Sequence, residues 1–379
     1  MDKKWTYEHS ELQEGGEMKT ILVAYSFGYN QRFGFSGIDR YSQELDEGLT
    51  NIRYKHDTYA YGNTNNNIKG LSSLRRLFST PKAVKSYDVI HLTQPHGYEA
   101  FLHTKAKKIL TWHDNMIFTR KSKVQFFNIF RGLTAYELAD IITFGSMQSF
   151  NELKDYVSKY KKFDENKTYD ITPHPIDDIW IKAKVNKKQE RKGFIYIGAI
   201  DYPHKNFKGL LGTYQYICDN IKEAQKPPLK IFTSSPNASE ILQETAEGLK
   251  MDLSCYPIIL HERKSDKEIL PILKQSIALL HLTFEEGYGL PIMESIAVGT
   301  PVITLAEAKI PEETKKWTIA TINPVDEALK LYNKPRSASQ EAISYAKSLT
   351  KENYARKMVK LYEETPTKRY MNWLNSYNS

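Results

Sequence analysis

The chain's organisation is decided by Thr283-Phe-Glu-Glu286-Gly287-Tyr288-Gly289-Leu290-Pro291-Ile-Met-Glu294-Ser-Ile-Ala297-Val-Gly299-Thr-Pro301-Val302-Ile303. The apolar run 277–282 before it is short enough for a buried strand. A turn bearing Glu286, Gly287 and Gly289 follows, then a helix with Pro291 in its first turn, where a missing N–H costs least. Gly299 is a natural helix stop, and Pro301-Val302-Ile303 opens the next strand. The open amides of that helix N-terminus, beside glycines that permit close approach, suit a diphosphate. Glu286 and Glu294 flank any anion held there, and a carboxylate accepts a hydrogen bond from each hydroxyl of a vicinal diol. Two other readings stay open. Glu286 can cap the helix with Glu294 on a solvated face, or the two can be a hydrolytic pair. Eight helical residues span about 12 Å, against about 5–9.5 Å between glycosidase carboxyl groups, which disfavours hydrolysis.

The same strand–helix alternation runs outward in both directions. Towards the N-terminus the expected strands are 20–25, 88–92, 108–112, 140–144 and 169–173. Helices are expected near 38–49, 71–86, 98–107, 123–138 and 146–160. A Lys-rich stretch, 182–192, is the best linker. Beyond it strands are expected at 193–198, 229–233, 255–260, 277–283, 301–304 and 319–322, alternating with helices, and a helical tail follows from 325. Such alternation argues for parallel sheets covered on both faces. The expected fold class is therefore α/β, with two Rossmann-like doubly wound domains facing a central cleft. The expected boundaries are a polar extension 1–17, an N-terminal domain 18–180, a C-terminal domain 181–360 and a tail 361–379, for which packing back on the first domain is one option. The purine-rich coding potential of Glu14-Gly-Gly-Glu-Met18 makes Met18 the expected natural start.

Length and composition agree with two soluble domains. The 379 residues, at roughly 150 per domain, suggest two, and 40% hydrophobic with 26% charged residues is ordinary for globular protein. No run approaches the roughly 18 apolar residues of a spanning helix, and the Glu-rich N-terminus is unlike a signal peptide. Cys218 and Cys255 alone make neither a disulfide framework nor a four-thiolate zinc site. A reducing, cytoplasmic setting is expected. His91, His96, His103 and His113 lack zinc-ligand spacing. There is no G-x-G-x-x-G, P-loop or G-x-S-x-G motif, so dehydrogenase, P-loop kinase and serine hydrolase readings weaken. The net charge of +8 fits nucleic acid, an anionic membrane, a phosphorylated substrate or solubility alone.

The Glu286-x7-Glu294 pattern, set in E-G-Y-G-L-P…E…A-x-G-T-P-V-I, resembles the signature of retaining glycosyltransferase family 4. Further landmarks follow in order: Gly37-Ile-Asp-Arg40-Tyr41, Thr111-Trp-His113-Asp114, Ile171-Thr-Pro-His174-Pro-Ile-Asp177, and Tyr196-Ile-Gly198 with Lys205-Asn206. The resemblance implies the GT-B architecture, a nucleotide-sugar donor (UDP- or GDP-sugar), no metal or other cofactor, and retention of anomeric configuration. It also implies roles. Glu286 contacts the donor sugar, Glu294 holds the ribose diol, and amides around Gly287, Tyr288, Gly289 and Leu290 meet the diphosphate. Lys205 balances charge on the leaving group, and His113 orients the transferred sugar. Gly198 precedes the Lys205 loop, while Gly34 and Gly37 let the first loop approach donor or acceptor. Bland alternatives remain: a solvated loop lysine, a histidine filling a turn, ordinary turn glycines. Where many members have Arg after the Y-x-G strand this chain has Ala199, so Lys205 acts alone with the amides or is helped by His204 or Arg263.

The expected function is glycosyl transfer to a glycan, glycolipid or lipid-linked acceptor in surface polysaccharide or glycoconjugate assembly. The alternatives are a sugar-nucleotide epimerase or a phosphorylase on the same scaffold, or a basic nucleic-acid-binding protein. No nucleic-acid module is recognisable, so nucleic acid is not an expected partner. Leu71, Leu74, Leu77 and Phe78 beside Arg75 and Arg76, and the segment 120–131, mix cations with apolar side chains. An anionic membrane surface suits them, and apolar faces turned to a core with solvated charges are the alternative.

Overall fold

The computed structural model describes residues 19–25, 37–60, 84, 86–102, 104–113, 115, 118, 125–185 and 190–363. The extension 1–17, Met18, Gly28, Gly34, all but a few residues of the helix expected at 71–86, His103, Asp114, residues 120–124 and the tail beyond 363 lie outside the described residues.

The chain forms two compact units, one of residues 1–175 with 351–379 and one of residues 176–350. The first unit is built on β1 (Ile21–Tyr25), β2 (Asp57–Ala60), β3 (Val89–Leu92), β4 (Lys107–Trp112), β5 (Ile141–Phe144) and β6 (Thr168–Ile171). They pair in the order β2-β1-β3-β4-β5-β6, each pair parallel. Period-two alternation sorts their side chains. Ile21, Val23, Val89, Ile109 and Ile141 join one buried layer, while Leu22, Ile90, Leu110 and Ile142 join the other. β2 has no counterpart among the expected strands. It is a short strand at the sheet edge, and Asp57-Thr-Tyr-Ala60 carries no apolar run.

Helix Lys351–Glu363 belongs to this first unit, so the chain returns ten residues before the expected tail at 361. The cause lies in its buried face of Tyr354, Ala355, Met358, Leu361 and Tyr362, which packs with Tyr41, Leu45 and Leu49 of helix Gly37–Asn51. A Cβ on Gly48 would stand 2.4 Å from the Lys351 carbonyl oxygen, so the two helices touch backbone to backbone. Lys19 donates to the Tyr362 and Glu363 carbonyls at 3.3 and 3.0 Å, and Lys107 to the Leu361 carbonyl, so two cations close the helix C-terminus.

The second unit contains β7 (Phe194–Ile197), β8 (Leu229–Thr233), β9 (Ile258–Glu262), β10 (Ala278–His281), β11 (Val302–Leu305) and β12 (Ile319–Thr321). Their order is β12-β11-β10-β7-β8-β9, again parallel. Counted from β7, this is the 3-2-1-4-5-6 order of a dinucleotide-binding sheet, with its switch point between β7 and β10. The two expected doubly wound parallel sheets are therefore both present. No helix among the described residues is long and apolar enough to cross a membrane.

Candidate active site

Chains leaving neighbouring strands at a switch point part in opposite directions and leave a crevice at the strands' carboxyl ends. In the second unit those chains are the loop after β7, carrying Lys205, and the loop after β10, carrying Glu286. The β7 loop is built stepwise. Gly198 ends the strand, the Tyr196 hydroxyl donates to the Ala199 carbonyl at 2.6 Å, and Ser235 Oγ accepts from the Ile200 amide at 2.9 Å. A 3-10 turn, Pro203–Lys205, leads to Asn206 in the left-handed region (φ 52°). Asn206 Oδ1 caps helix Phe207–Asp219 by accepting from the Gly209 amide at 3.2 Å. Its Nδ2 donates to the Leu282 carbonyl at 2.8 Å, tying the Lys205 turn to the end of β10.

The Glu286 loop is fixed from both sides. The Phe284 amide and the Thr283 hydroxyl each donate to the His204 carbonyl at 2.8 Å. On the other side the Glu286 amide donates to the Lys309 carbonyl at 2.9 Å, and the Lys309 amide to Phe284 at 2.8 Å. Helix Leu290–Ala297 then starts from Gly289, at φ 84°. A Cβ there would lie 2.9 Å from Ile292 Cδ1, so backbone and packing both select glycine.

These two loops bring Lys205 and Glu286 to His281, the last residue of β10. Lys205 Nζ lies 2.5 Å from Glu286 Oε1, and His281 Nε2 lies 2.9 Å from the same oxygen. The side chains are 19%, 11% and 3% exposed for Lys205, Glu286 and His281. Burial by itself would raise the Glu286 pKa, but the Lys205 ammonium and the hydrogen bond from His281 outweigh it and hold the carboxyl at about 2. Lys205 is thus no solvated loop lysine. Glu294, in the helix that follows, is 1% exposed, which removes the solvated-face reading for it. His204 contributes its backbone to the site, and Arg263 is exposed just after β9. His281 carries no motif; it reads as one polar residue in an apolar run, and its signal is its position at a strand's carboxyl end, five residues before Glu286.

The first unit holds the other predicted side chain. Gly37 opens helix Gly37–Asn51. His113 follows β4, and both of its ring nitrogens are engaged. Nε2 lies 2.8 Å from the Thr93 carbonyl and Nδ1 lies 3.1 Å from His174 Nε2. A carbonyl only accepts, so His113 donates through Nε2 and receives through Nδ1 from His174. A sugar contact through this ring requires exchanging one of those bonds. Burial lowers the His113 pKa to about 4 despite the Thr93 bond, and burial with the nearby His113 lowers His91 to about 3. His91 bridges Tyr362 and Thr111 at 2.7 Å each, a structural role. Among the described residues no group of three or more His, Cys, Asp or Glu is placed to hold a metal ion.

With this geometry the chain is comparable with known proteins. Residues 178–356 match the family model described as glycosyl transferases group 1. The O-antigen chain mannosyltransferase RfbU of Salmonella typhimurium is 26% identical over 165 residues, which are 42% of this chain and 44% of that protein. The chain spans less than half the length of the curated relatives it matches. Sucrose-phosphate synthase from Thermosynechococcus elongatus has a TM-score of 0.65 at 13% identity, covering 91% of this chain and 98% of that one. A structure described as trehalose-6-phosphate from E. coli bound with UDP-2-fluoro glucose has a TM-score of 0.64 at 10% identity, covering 92% and 100%. At these identities the likeness is one of fold: two parallel-sheet α/β units, as in those proteins.

Proposed function

We propose that the chain is a glycosyltransferase moving a hexose-like sugar from a UDP- or GDP-sugar to a glycan or lipid-linked acceptor in surface polysaccharide or glycoconjugate assembly. The observation that carries this reading is the meeting of Lys205, Glu286 and His281 at the switch point of the unit that matches group 1 glycosyl transferases. The name of RfbU supports a polysaccharide acceptor and makes mannose donors the first to try. Lys205 offers a fixed positive charge to a departing diphosphate, supplemented by amides around Gly287–Leu290. That charge makes a metal dispensable in this reading. Glu286 and Glu294 are assigned to the sugar and the ribose.

The reaction breaks the bond between C1 and the diphosphate oxygen and forms one from C1 to the acceptor oxygen on the same face. The acceptor proton passes to the leaving diphosphate, so configuration is retained without a protein nucleophile. Glu286 Oε1 is already engaged by His281 Nε2 at 2.9 Å, and front-face departure is preferred to a covalent intermediate on Glu286. The deciding experiment is a thermal-shift panel of UDP, GDP, ADP and their sugars, followed by turnover with the best donor in EDTA. One nucleotide class is expected to raise the melting temperature, and NMR of the product to show a retained anomer. A flat panel refutes the reading.

A membrane-bound acceptor has its own support. Phe126, Phe127 and Phe130, in the first two turns of helix Gln125–Leu138, are 77%, 60% and 53% exposed. Residues 115–136 include Arg120, Lys121, Lys123 and Arg131 and no Asp or Glu. Exposed aromatics beside acid-free basic sequence suit an anionic bilayer, and a cytoplasmic protein peripheral to the membrane's inner face follows. Flotation with phosphatidylglycerol vesicles at physiological salt is expected, with loss on replacing the three Phe by Ser; a wild type that stays at the bottom of the gradient refutes it.

A further inference from the structure

We infer that His281 is a positioning residue that keeps Glu286 in place when a diphosphate draws on the charge of Lys205. The inference rests on the function proposed above. Its basis is that one carboxylate oxygen, Glu286 Oε1, receives both donors, from Lys205 at 2.5 Å and from His281 at 2.9 Å. The two donors differ in freedom. Lys205 ends a short surface turn and reaches Glu286 along a flexible four-carbon stem. His281 is the last residue of β10, 3% exposed and paired with Thr304 of β11. Its other ring nitrogen, Nδ1, is buried without a hydrogen-bond partner, so the hydrogen bond this ring makes is the one to Glu286.

Before a donor arrives, Lys205 and Glu286 neutralise each other. A diphosphate brings at least two negative charges to the same ammonium, and its field also repels the carboxylate. Lys205 can turn to meet it; the strand-bound imidazole cannot follow. The carboxylate then stays oriented through His281. It follows that Glu286 and a diphosphate compete for Lys205, whereas His281 acts on turnover and not on diphosphate affinity.

The test uses the full chain, with inorganic pyrophosphate, UDP and GDP as calorimetric probes and the active donor for turnover. Glu286→Gln is expected to tighten pyrophosphate binding roughly three- to ten-fold, because Lys205 loses its competing anion. His281→Phe keeps a ring but no donor, and is expected to leave diphosphate affinity within about two-fold while kcat falls roughly ten- to hundred-fold. His281→Gln, which restores an N–H, is expected to recover most of kcat. Unchanged or weaker pyrophosphate binding in Glu286→Gln overturns the inference even where His281→Phe does not fold. So does wild-type turnover in His281→Phe, or a Gln variant no better than Phe. A wild type that binds none of the three probes removes the proposed function and this inference with it; binding and turnover with the wrong variant pattern remove the inference alone.

Discussion

His174 Nε2 lies 3.1 Å from Nδ1 of His113, and the pair packs against the ring of Tyr41, whose centroid is 4.6 Å from His113 and 4.8 Å from His174. Burial is the largest influence on both imidazoles, joined for His174 by the nearby His113, and both pKa values fall. His91 behaves likewise. The unfolded chain takes up these protons near pH 6.5, whereas the folded chain holds off until about 4 for His113 and about 3 for His91. Stability of the first unit therefore falls as pH drops from 6.5 towards 4, by roughly 2 kcal/mol for each of these two histidines at pH 5. Glu286, depressed to about 2, instead stabilises the second unit fully above about pH 4.5 and loses that contribution progressively as pH falls from 4.5 to 2. Hydrogen exchange on the full chain at pH 7 and pH 5 is expected to show lost protection in β3–β6 while β7, β10 and β11 keep theirs. Equal loss in both sheets would count against the assignment.

Much of this was readable from sequence, for a physical reason. Buried parallel strands are apolar on both faces, so Ile21–Tyr25 and Ala278–His281 stand out, and Gly289 and Gly299 mark their helix ends. Glu286 is readable because its turn follows a strand end and opens a helix, whereas Lys205 is legible only through the family resemblance that carries the Tyr196-Ile-Gly198 strand and its loop. What could not be read depends on pairing at a distance. β2 is a short, polar edge strand whose partner, β1, supplies its order. His281 looks like a core residue until Glu286 folds back over it. Tyr41 and Tyr354 share a 2.5 Å hydrogen bond across 313 residues of chain, and no periodicity in either helix announces it.

Lys205→Ala leaves the Glu286 carboxylate with His281 as its remaining donor from this trio and removes the fixed cation at the diphosphate. Under the proposed chemistry kcat/KM is expected to fall roughly 10²–10³-fold. Lys205→Arg keeps the charge but not the compact geometry, and is expected to recover only part of it. Steady-state kinetics with the best donor checks this, and near-wild-type turnover in Lys205→Ala would mean the leaving group is balanced elsewhere.

Gly289→Ala forces a side chain onto a residue at φ 84° and brings its Cβ to 2.9 Å from Ile292 Cδ1. Left-handed backbone costs a non-glycine residue roughly 1–2 kcal/mol, and Ile292 is fully buried with little room to retreat. The expected result is a second unit less stable by roughly 2–3 kcal/mol, with weakened nucleotide binding because the helix N-terminus shifts. Denaturant titration followed by nucleotide calorimetry separates the two effects. An alanine variant with unchanged stability would show that the turn relaxes without cost.

Helix Lys351–Glu363 comes last in the described chain, yet it fills one face of the first sheet. Met358 and Tyr362 are fully buried in the layer that holds Ile21, Val23, Val89 and Tyr41. Lys351 adds an ion pair to Glu47 in the facing helix. Met358→Ala opens a cavity in that layer and is expected to cost about 2–5 kcal/mol. Tyr354→Phe removes one hydroxyl from the Tyr41 hydrogen bond and is expected to cost about 1 kcal/mol, with Thr111 at 2.8 Å still serving Tyr41. Ending the chain at residue 350 uncovers the whole face, so the first unit is expected to lose its protection from exchange while the second keeps its own. Hydrogen exchange resolved by peptide reads both units in one sample. A chain ended at 350 whose β1, β3 and β4 exchanged as slowly as in the full protein would show that the sheet closes without this helix.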